Sequence, residues 1–347
     1  MPESLLVGTW PVPWAIVAFV VAGILTVAGS LRLVAFGDAL ADRTGWGEAL
    51  FGAVFFGLVT SLSGVVMTAV TAAGAAPQLA YSNAVGGIAA QTTAVAVADL
   101  FYRRVNLEHA SASLSNLLFG CLLMALLALA LLATYTPAGT LFGLHPVSAI
   151  MVGCYLGGVM IAHSCDVTPY WQAVDTNETR RDLPASHGSL DARPLPGLWL
   201  WFAAVGLVVA AGGWATALAA QSLVEATGLR AGFVGGVLMG LVNALPETIT
   251  AVAAVRRGAV TLAIAAILGG NCLDALNLVV GDAFYRQGSV FHAAGNDELF
   301  VTTAALLMTT VLLGGLLARQ VGGWGRLGFE GTLLLGGYLA VVAVLVT

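Results

Sequence analysis

Lysine is absent from this chain, and charge of either sign is scarce. Charged residues make up 9% of the 347 positions and hydrophobic ones 59%. A soluble surface needs roughly a quarter charged residues, so with a mean hydropathy of +0.93 the chain belongs in a bilayer. No nucleic acid is expected as a partner. The four cysteines (Cys121, Cys154, Cys165, Cys272) are scattered over apolar segments without metal-ligand spacing, which predicts reduced, structural thiols. H-E-x-x-H, the P-loop and a G-x-G-x-x-G at a strand–helix junction are all missing, so the sequence points to no enzyme and no bound cofactor. Long apolar runs without alternation exclude a transmembrane β-barrel. The first apolar run, flanked by Trp10 and Trp14, has no basic n-region and no A-x-A site, so it reads as a retained span.

What is present is a set of apolar segments about 20 residues long, the length a helix needs to cross a membrane. Ten are expected: roughly 14–36, 47–73, 78–101, 116–136, 146–165, 197–220, 231–255, 259–284, 299–318 and 325–346. The one long polar stretch, 166–196, divides the chain into halves 1–165 and 197–347. When successive loops are put on alternate sides, Arg32, Arg43, Arg103, Arg104, Arg180, Arg181, Arg193, Arg256, Arg257, Arg319 and Arg326 collect on one side. Only Arg230 and Arg286 fall on the other. Positive residues mark the cytoplasmic side. The expectation is therefore a multi-pass plasma-membrane protein with both termini outside and a cytoplasmic linker at 166–196. The eight tryptophans mostly fall near span ends, as an interfacial belt would.

The halves repeat each other at a constant offset of 183. Gly57-Leu58-Val59 returns as Gly240-Leu241-Val242, Gly86-Gly87 as Gly269-Gly270, and Asp99-x-Phe101-Tyr102-Arg103 as Asp282-x-Phe284-Tyr285-Arg286. Five spans per half is an odd number, so the second copy enters the membrane from the opposite side. The fold expected is all-α, with about ten transmembrane helices in two inverted five-helix repeats.

Only the second copy places acids in its apolar interior. Glu247 follows Pro246 in Asn243-Ala244-Leu245-Pro246-Glu247-Thr248, and the proline should kink or break the helix and free a carbonyl. Asp274 lies in Gly269-Gly270-Asn271-Cys272-Leu273-Asp274, with Asn271 three residues earlier on the same helix face. An ionised acid at the bilayer centre costs roughly 2.5–3.5 kcal/mol on insertion scales, so two of them mark a functional site. Glu247 and Asp274 as metal ligands, with Asn243 and Asn271, form an oxygen-rich set suited to hard cations such as Ca²⁺ or Na⁺. In the first copy the mates are Thr60, Ser61 and Ser63, with Gly64 opposite Glu247 and Gln91 opposite Asp274. These can coordinate or hydrogen-bond without adding charge. Small-residue packing and interhelical hydrogen bonding explain them equally well. Asp99 and Asp282, near span ends, read as structural or interfacial, with gating as the functional alternative.

Leu245-Pro246-Glu247 followed by Asp274 within G-G-N-x-x-D resembles the second α-repeat of the calcium/cation antiporter superfamily, the sodium/calcium exchangers and their proton- and potassium-linked relatives. The resemblance extends to the ten-span inverted topology and the cytoplasmic linker. It implies Glu247 as a central cation ligand and Asp274 as a ligand or proton carrier. Asn271 would support them, and Thr60, Ser61 and Ser63 would be their pseudo-symmetric counterparts. It also implies alternating access by sliding of the first and sixth helices, about 14–36 and 197–220. The first repeat departs from the family's Pro-Glu with Ser63-Gly64 and carries Ile88 and Gln91 where Asn is usual. At most two negative charges then remain, enough for one Ca²⁺, one Na⁺ with one proton, or two protons. The function expected is a secondary cation antiporter exchanging Ca²⁺ or Na⁺ against Na⁺ or H⁺. Its partners would be the bilayer and small inorganic cations, with those cations as its only ligands. The alternatives are another ion or solute on the same scaffold, or an intramembrane serine hydrolase using Ser61 or Ser63.

Overall fold

The computed structural model describes residues 10–44, 61–102, 105–111, 113–167, 174, 176, 179, 194–323 and 327–347. Within them the chain is almost entirely helical. The first half contributes α1 (Val12–Thr44), α2 (Leu62–Ala73), α3 (Pro77–Phe101), the single turn α4 (Leu107–Ala110), α5 (Leu114–Ala133) and α6 (Pro146–Val167). The second contributes α7 (Leu195–Thr227), α8 (Ala231–Arg257), α9 (Val260–Phe284), α10 (Asn296–Ala318) and α11 (Phe329–Val346). Nine of these are long and apolar enough to span a bilayer. Of the second expected span, 47–73, only the end in α2 falls within the described residues.

Local chemistry sets the helix boundaries. Proline opens α3 at its first turn, where no backbone N–H is needed. Ser113 accepts a hydrogen bond from Asn116 N–H (3.3 Å) and caps α5. Glu298 reaches back to Gly295 N–H (2.8 Å) at the start of α10. Gly228 and Gly258 close α7 and α8 in the left-handed conformation, at φ of 70° and 87°.

The repeat is as regular in space as in sequence. Helices α1 and α7 have 33 residues each and begin 183 positions apart, and α3 and α9 have 25 each at the same offset. The ends of α3 and α9 are built alike on opposite faces. Leu107 N–H donates to Asp99 (2.7 Å), and its mate Val290 N–H donates to Asp282 (3.3 Å). The His109 ring meets the Arg319 carbonyl (2.6 Å), and the ring of its mate His292 meets the carbonyl of Thr136, the mate of Arg319 (2.7 Å). Segment 105–111 thus joins 319–321 on one face, where the linker residues Val174 and Thr179 also accept from Arg319. Segment 134–145 joins 285–292 on the other face. Asp99 and Asp282 tie these faces, each eight residues, or about two turns, beyond Gln91 and Asp274 on the same helices.

The core centres on α3, buried along almost its whole length between α2, α8, α9, α10 and α11. Helices α1 and α7 pack chiefly on each other and lie at the periphery, their outer sides lined by Trp14, Val17, Ile24, Leu200, Trp201 and Leu207. At about 50 Å they exceed a hydrocarbon core of about 30 Å, so they tilt or project. They meet through small residues, with Gly212 over Thr26 and Gly29 over Val209.

Candidate cation site

The expected break at Pro246 is not where the helix departs from α geometry. The last segment of α8, Gly240–Arg257, runs through Pro246 without interruption. The departure lies about two to three turns earlier, where Val234–Met239 is π-helical. A π segment is a common way for a helix to absorb strain at a functional site. It brings Gly236 and Gly240 onto Gly86 of α3, backbone against backbone. That approach sets Asn243 and Glu247 against the middle of α3 and α9.

Repeat mates meet at the centre. Gln91 of α3 donates through Nε2 to Asp274 Oδ2 of α9 at 2.6 Å, across 183 residues. Asn243 donates to the same oxygen (3.3 Å), and Asn277, one turn on from Asp274, donates to Oδ1 (3.2 Å). Asp274 is therefore a buried carboxylate held by three amide N–H groups from three helix positions. Ser63 of α2 donates to Asn243 Oδ1 (3.1 Å), tying the first half to the same network. Ser61, at the start of α2, is buried beside Asp274, but its hydroxyl completes no hydrogen bond of good geometry. Asn271 donates to Thr92 Oγ1 (2.9 Å).

Glu247 is treated differently. It is 5% exposed, its Oε2 has no donor, and the charged group facing it is Asp274. Gln91 Oε1 and Asn271 Oδ1 are likewise buried without donors. A Cβ built on Gly270 would lie 3.5 Å from Gln91 Oε1 and 4.0 Å from the Glu247 side chain, so both border the same glycine. Buried polar atoms are normally paired. Here the unpaired ones are acceptor oxygens, the type a hard cation or a proton would satisfy.

The acid missing from the first repeat leaves no hole. A Cβ on Gly64 would lie 2.8 Å from both amide atoms of Asn243 and 2.9 Å from Asn277 Nδ2. Amides from the second half occupy the place of the absent side chain. Gly64→Ala is expected to push Asn243 off Asp274 and to cost about 1–3 kcal/mol by overpacking. A thermal melt of the purified protein would read this as a lower midpoint.

Of the residues singled out in sequence, Asp274, Gln91, Asn243, Ser61 and Ser63 come together, with Glu247 and Asn271 beside them. Thr60 lies outside the described residues. Asp99 and Asp282 sit at opposite faces, away from this centre. Asn277, Thr92 and Asn83 were missed, the last donating to Thr68 Oγ1 (3.0 Å) and to the Gly64 carbonyl (3.4 Å). Asn277 had a legible signal, since it shares a helix face with Asp274 at i+3. The hydrolase reading fails: Ser63 is bonded to Asn243, Ser61 has no partner, and His109 and His145 bond instead at the two faces.

The family model described as "Sodium/calcium exchanger protein" matches residues 14–162 and 197–347. Among solved structures, the H⁺/Ca²⁺ exchanger CAX superposes with a TM-score of 0.68 at 13% identity, over 99% of this chain and 90% of that one. Native YfkE gives 0.60 at 15%, over 99% and 98%. The sodium-calcium exchanger NCX_Mj gives 0.57 at 16%, over 96% and 99%. At these identities the superpositions establish a shared fold. The comparison with curated protein sequences gave no match.

Proposed function

The chain belongs to the sodium/calcium exchanger protein family, and from that premise we propose a secondary antiporter exchanging Ca²⁺ or Na⁺ against Na⁺ or H⁺ around Glu247 and Asp274. The observation that supports it is the set of donor-less buried oxygens, Glu247 Oε2, Gln91 Oε1 and Asn271 Oδ1, next to the amide-held Asp274. In the cation-bound state Glu247 supplies a charged ligand, and Asn271 and Gln91 supply carbonyl oxygens. Asp274 supplies the second charge, with Asn243 and Asn277 turning carbonyls inward as they release it. Two carboxylates balance one Ca²⁺, one Na⁺ with one proton, or two protons, and interacting acids take up protons as a pair. Exchange is then strict, because leaving both acids bare in the membrane interior is costly. The α1–α7 pair, packed chiefly on itself and joined through glycines, is the moving element that opens the site alternately to each side.

The orientation we propose places both termini outside the plasma membrane and 166–196 in the cytoplasm, between halves 1–165 and 197–347. Proteoliposomes loaded with Ca²⁺ or Na⁺ and given an opposing Na⁺ or pH gradient test the function. Gradient-driven uptake of one of these ions is expected. Uptake of none, with a thermal shift instead for K⁺, Mg²⁺ or Mn²⁺, would move the assignment to another ion.

A further inference from the structure

Three more acids are buried far from the central site. Asp99 ends α3, Glu108 lies in the turn α4, and Glu330 opens α11; they are 1%, 1% and 0% exposed. Both oxygens of Glu108, both of Glu330 and one of Asp99 have no hydrogen-bond donor. The Glu108 and Glu330 carboxyls face each other, with Asp99 beside them. The backbone makes room for Glu330, since a Cβ on Gly328 would fall on its carboxyl and one on Gly315 would lie 2.5 Å from its Cγ. The opposite face has the same architecture, with Asp282 as the mate of Asp99 but no counterparts of Glu108 and Glu330. The mates of Glu108 and Glu330 at the 183 offset are Phe291 and Val147, both buried in the apolar core. The fold can therefore fill these two positions with hydrocarbon, and burying acids there instead has a cost that packing does not explain.

We propose that Asp99, Glu108 and Glu330 form a proton-binding site that latches segment 105–111 to the start of α11. Two carboxyls in mutual contact cannot both ionise, so one proton bridges them and supplies the donor each lacks. Among the described residues the surroundings offer no substitute. From the end of α10, Arg319 turns its guanidinium to the carbonyls of His109 and Val174 and the Thr179 hydroxyl. His109 uses its ring on the Arg319 carbonyl and Thr176, and Tyr102, after α3, has a phenol without a partner. Among the described residues no three acidic, His or Cys groups converge as a metal cage would require. Burial above all, then the charges of Asp99 and Glu330, holds the Glu108 carboxyl well above the usual carboxylate range. The sign follows: a carboxyl with a raised folded-state pKa stabilises the fold fully below its unfolded value, about 4.3. That contribution is lost as pH rises through the folded value. Alkaline pH therefore opens the latch, and because Arg319, which bonds the His109 carbonyl, also holds Val174 and Thr179, its hold on these two residues is loosened with it. With the orientation proposed above, the proton comes from the cytoplasm. The latch itself does not depend on which ion is transported.

The test uses the full-length protein in detergent, without any flux assay. Thermal midpoints from about pH 5 to 9 and the infrared carbonyl band of protonated carboxyls are compared for wild type, Glu330→Gln, and the double variant Glu108→Phe with Glu330→Val, which copies the opposite face. The wild-type midpoint is expected to fall as pH rises, together with loss of part of the protonated band. In Glu330→Gln the pH slope should drop at least twofold, and in the double variant it should drop further, to what Asp99 and the central acids leave, with no loss of fold. A slope equal to wild type in both variants overturns the proposal. So does a Ca²⁺-dependent rise in the wild-type midpoint that Glu330→Gln removes, which would make this a metal site.

Discussion

Glu247→Gln is expected to abolish cation exchange and, in the same protein, to raise thermal stability. The two effects have one cause. Among the described residues Glu247 Oε2 is buried without a donor and faces Asp274, so in the empty protein its ionised form has no compensation and its neutral form must hold a proton, a condition that costs stability as pH rises. An amide removes that charge at constant shape. It also removes a charged ligand, and losing one partner of a buried charge contact costs about 2–5 kcal/mol. At 1.36 kcal/mol per decade this amounts to about 30-fold or more in rate or apparent affinity. Counterflow in proteoliposomes and a thermal melt of the same preparation read both quantities. Asp274→Asn separates this account from a general packing effect. It too should stop exchange, but it sets an NH₂ group against the three amide donors of Gln91, Asn243 and Asn277, so its midpoint should fall. Equal flux in Glu247→Gln and wild type would remove Glu247 from the site. A lower midpoint in Glu247→Gln would mean that its carboxyl is held by groups other than those described.

The architecture was legible because it follows from quantities that sequence carries directly. Apolar length set the spans, and the 183-residue offset with an odd number of spans per half set the inversion. That offset survives into space to the residue, as α1 with α7 and α3 with α9 show. The central pair Glu247 and Asp274 was legible because acids in apolar runs are rare. Three things were not. Pro246 promised a break that α8 absorbs upstream as a π segment, because glycine-rich contact with α3, invisible in one helix, decides where the backbone yields. Gly64 read as a missing acid, whereas Asn243 and Asn277 fill its place, and only packing between halves shows that. Glu108 and Glu330 did not stand out in the sequence, since acids near span ends are normally solvated. Burial by the meeting of two distant segments makes them unusual. The symmetry is thus broken twice in opposite senses. The first repeat lacks an acid at the centre, while the positions of Glu108 and Glu330 are apolar in their mates.

Gly86→Ala is expected to prevent the protein from assembling, while the same change at its repeat mate, Gly269→Ala, should be tolerated. Without a hydrophobic force between helices in lipid, association rests on close packing, and Gly236-x-x-x-Gly240 against Gly86 is such a contact. A Cβ at Gly86 would lie 2.1 Å from the Gly236 carbonyl oxygen and 2.3 Å from its Cα. No rotamer change can relieve a clash with backbone. Relief requires α3 and α8 to separate, and the separation would carry Asn243 and Glu247 away from Gln91 and Asp274. Overpacking of side chains costs about 1–3 kcal/mol, and this backbone clash should exceed the top of that range. Among the described residues no atom lies within 4 Å of a Cβ added at Gly269. There the alanine should be neutral or slightly stabilising, since it favours the helix by up to about 1 kcal/mol over glycine. Size-exclusion profiles and thermal midpoints of the two variants decide the matter. Equal behaviour would mean that the close approach of α3 to the π segment does not hold the site together.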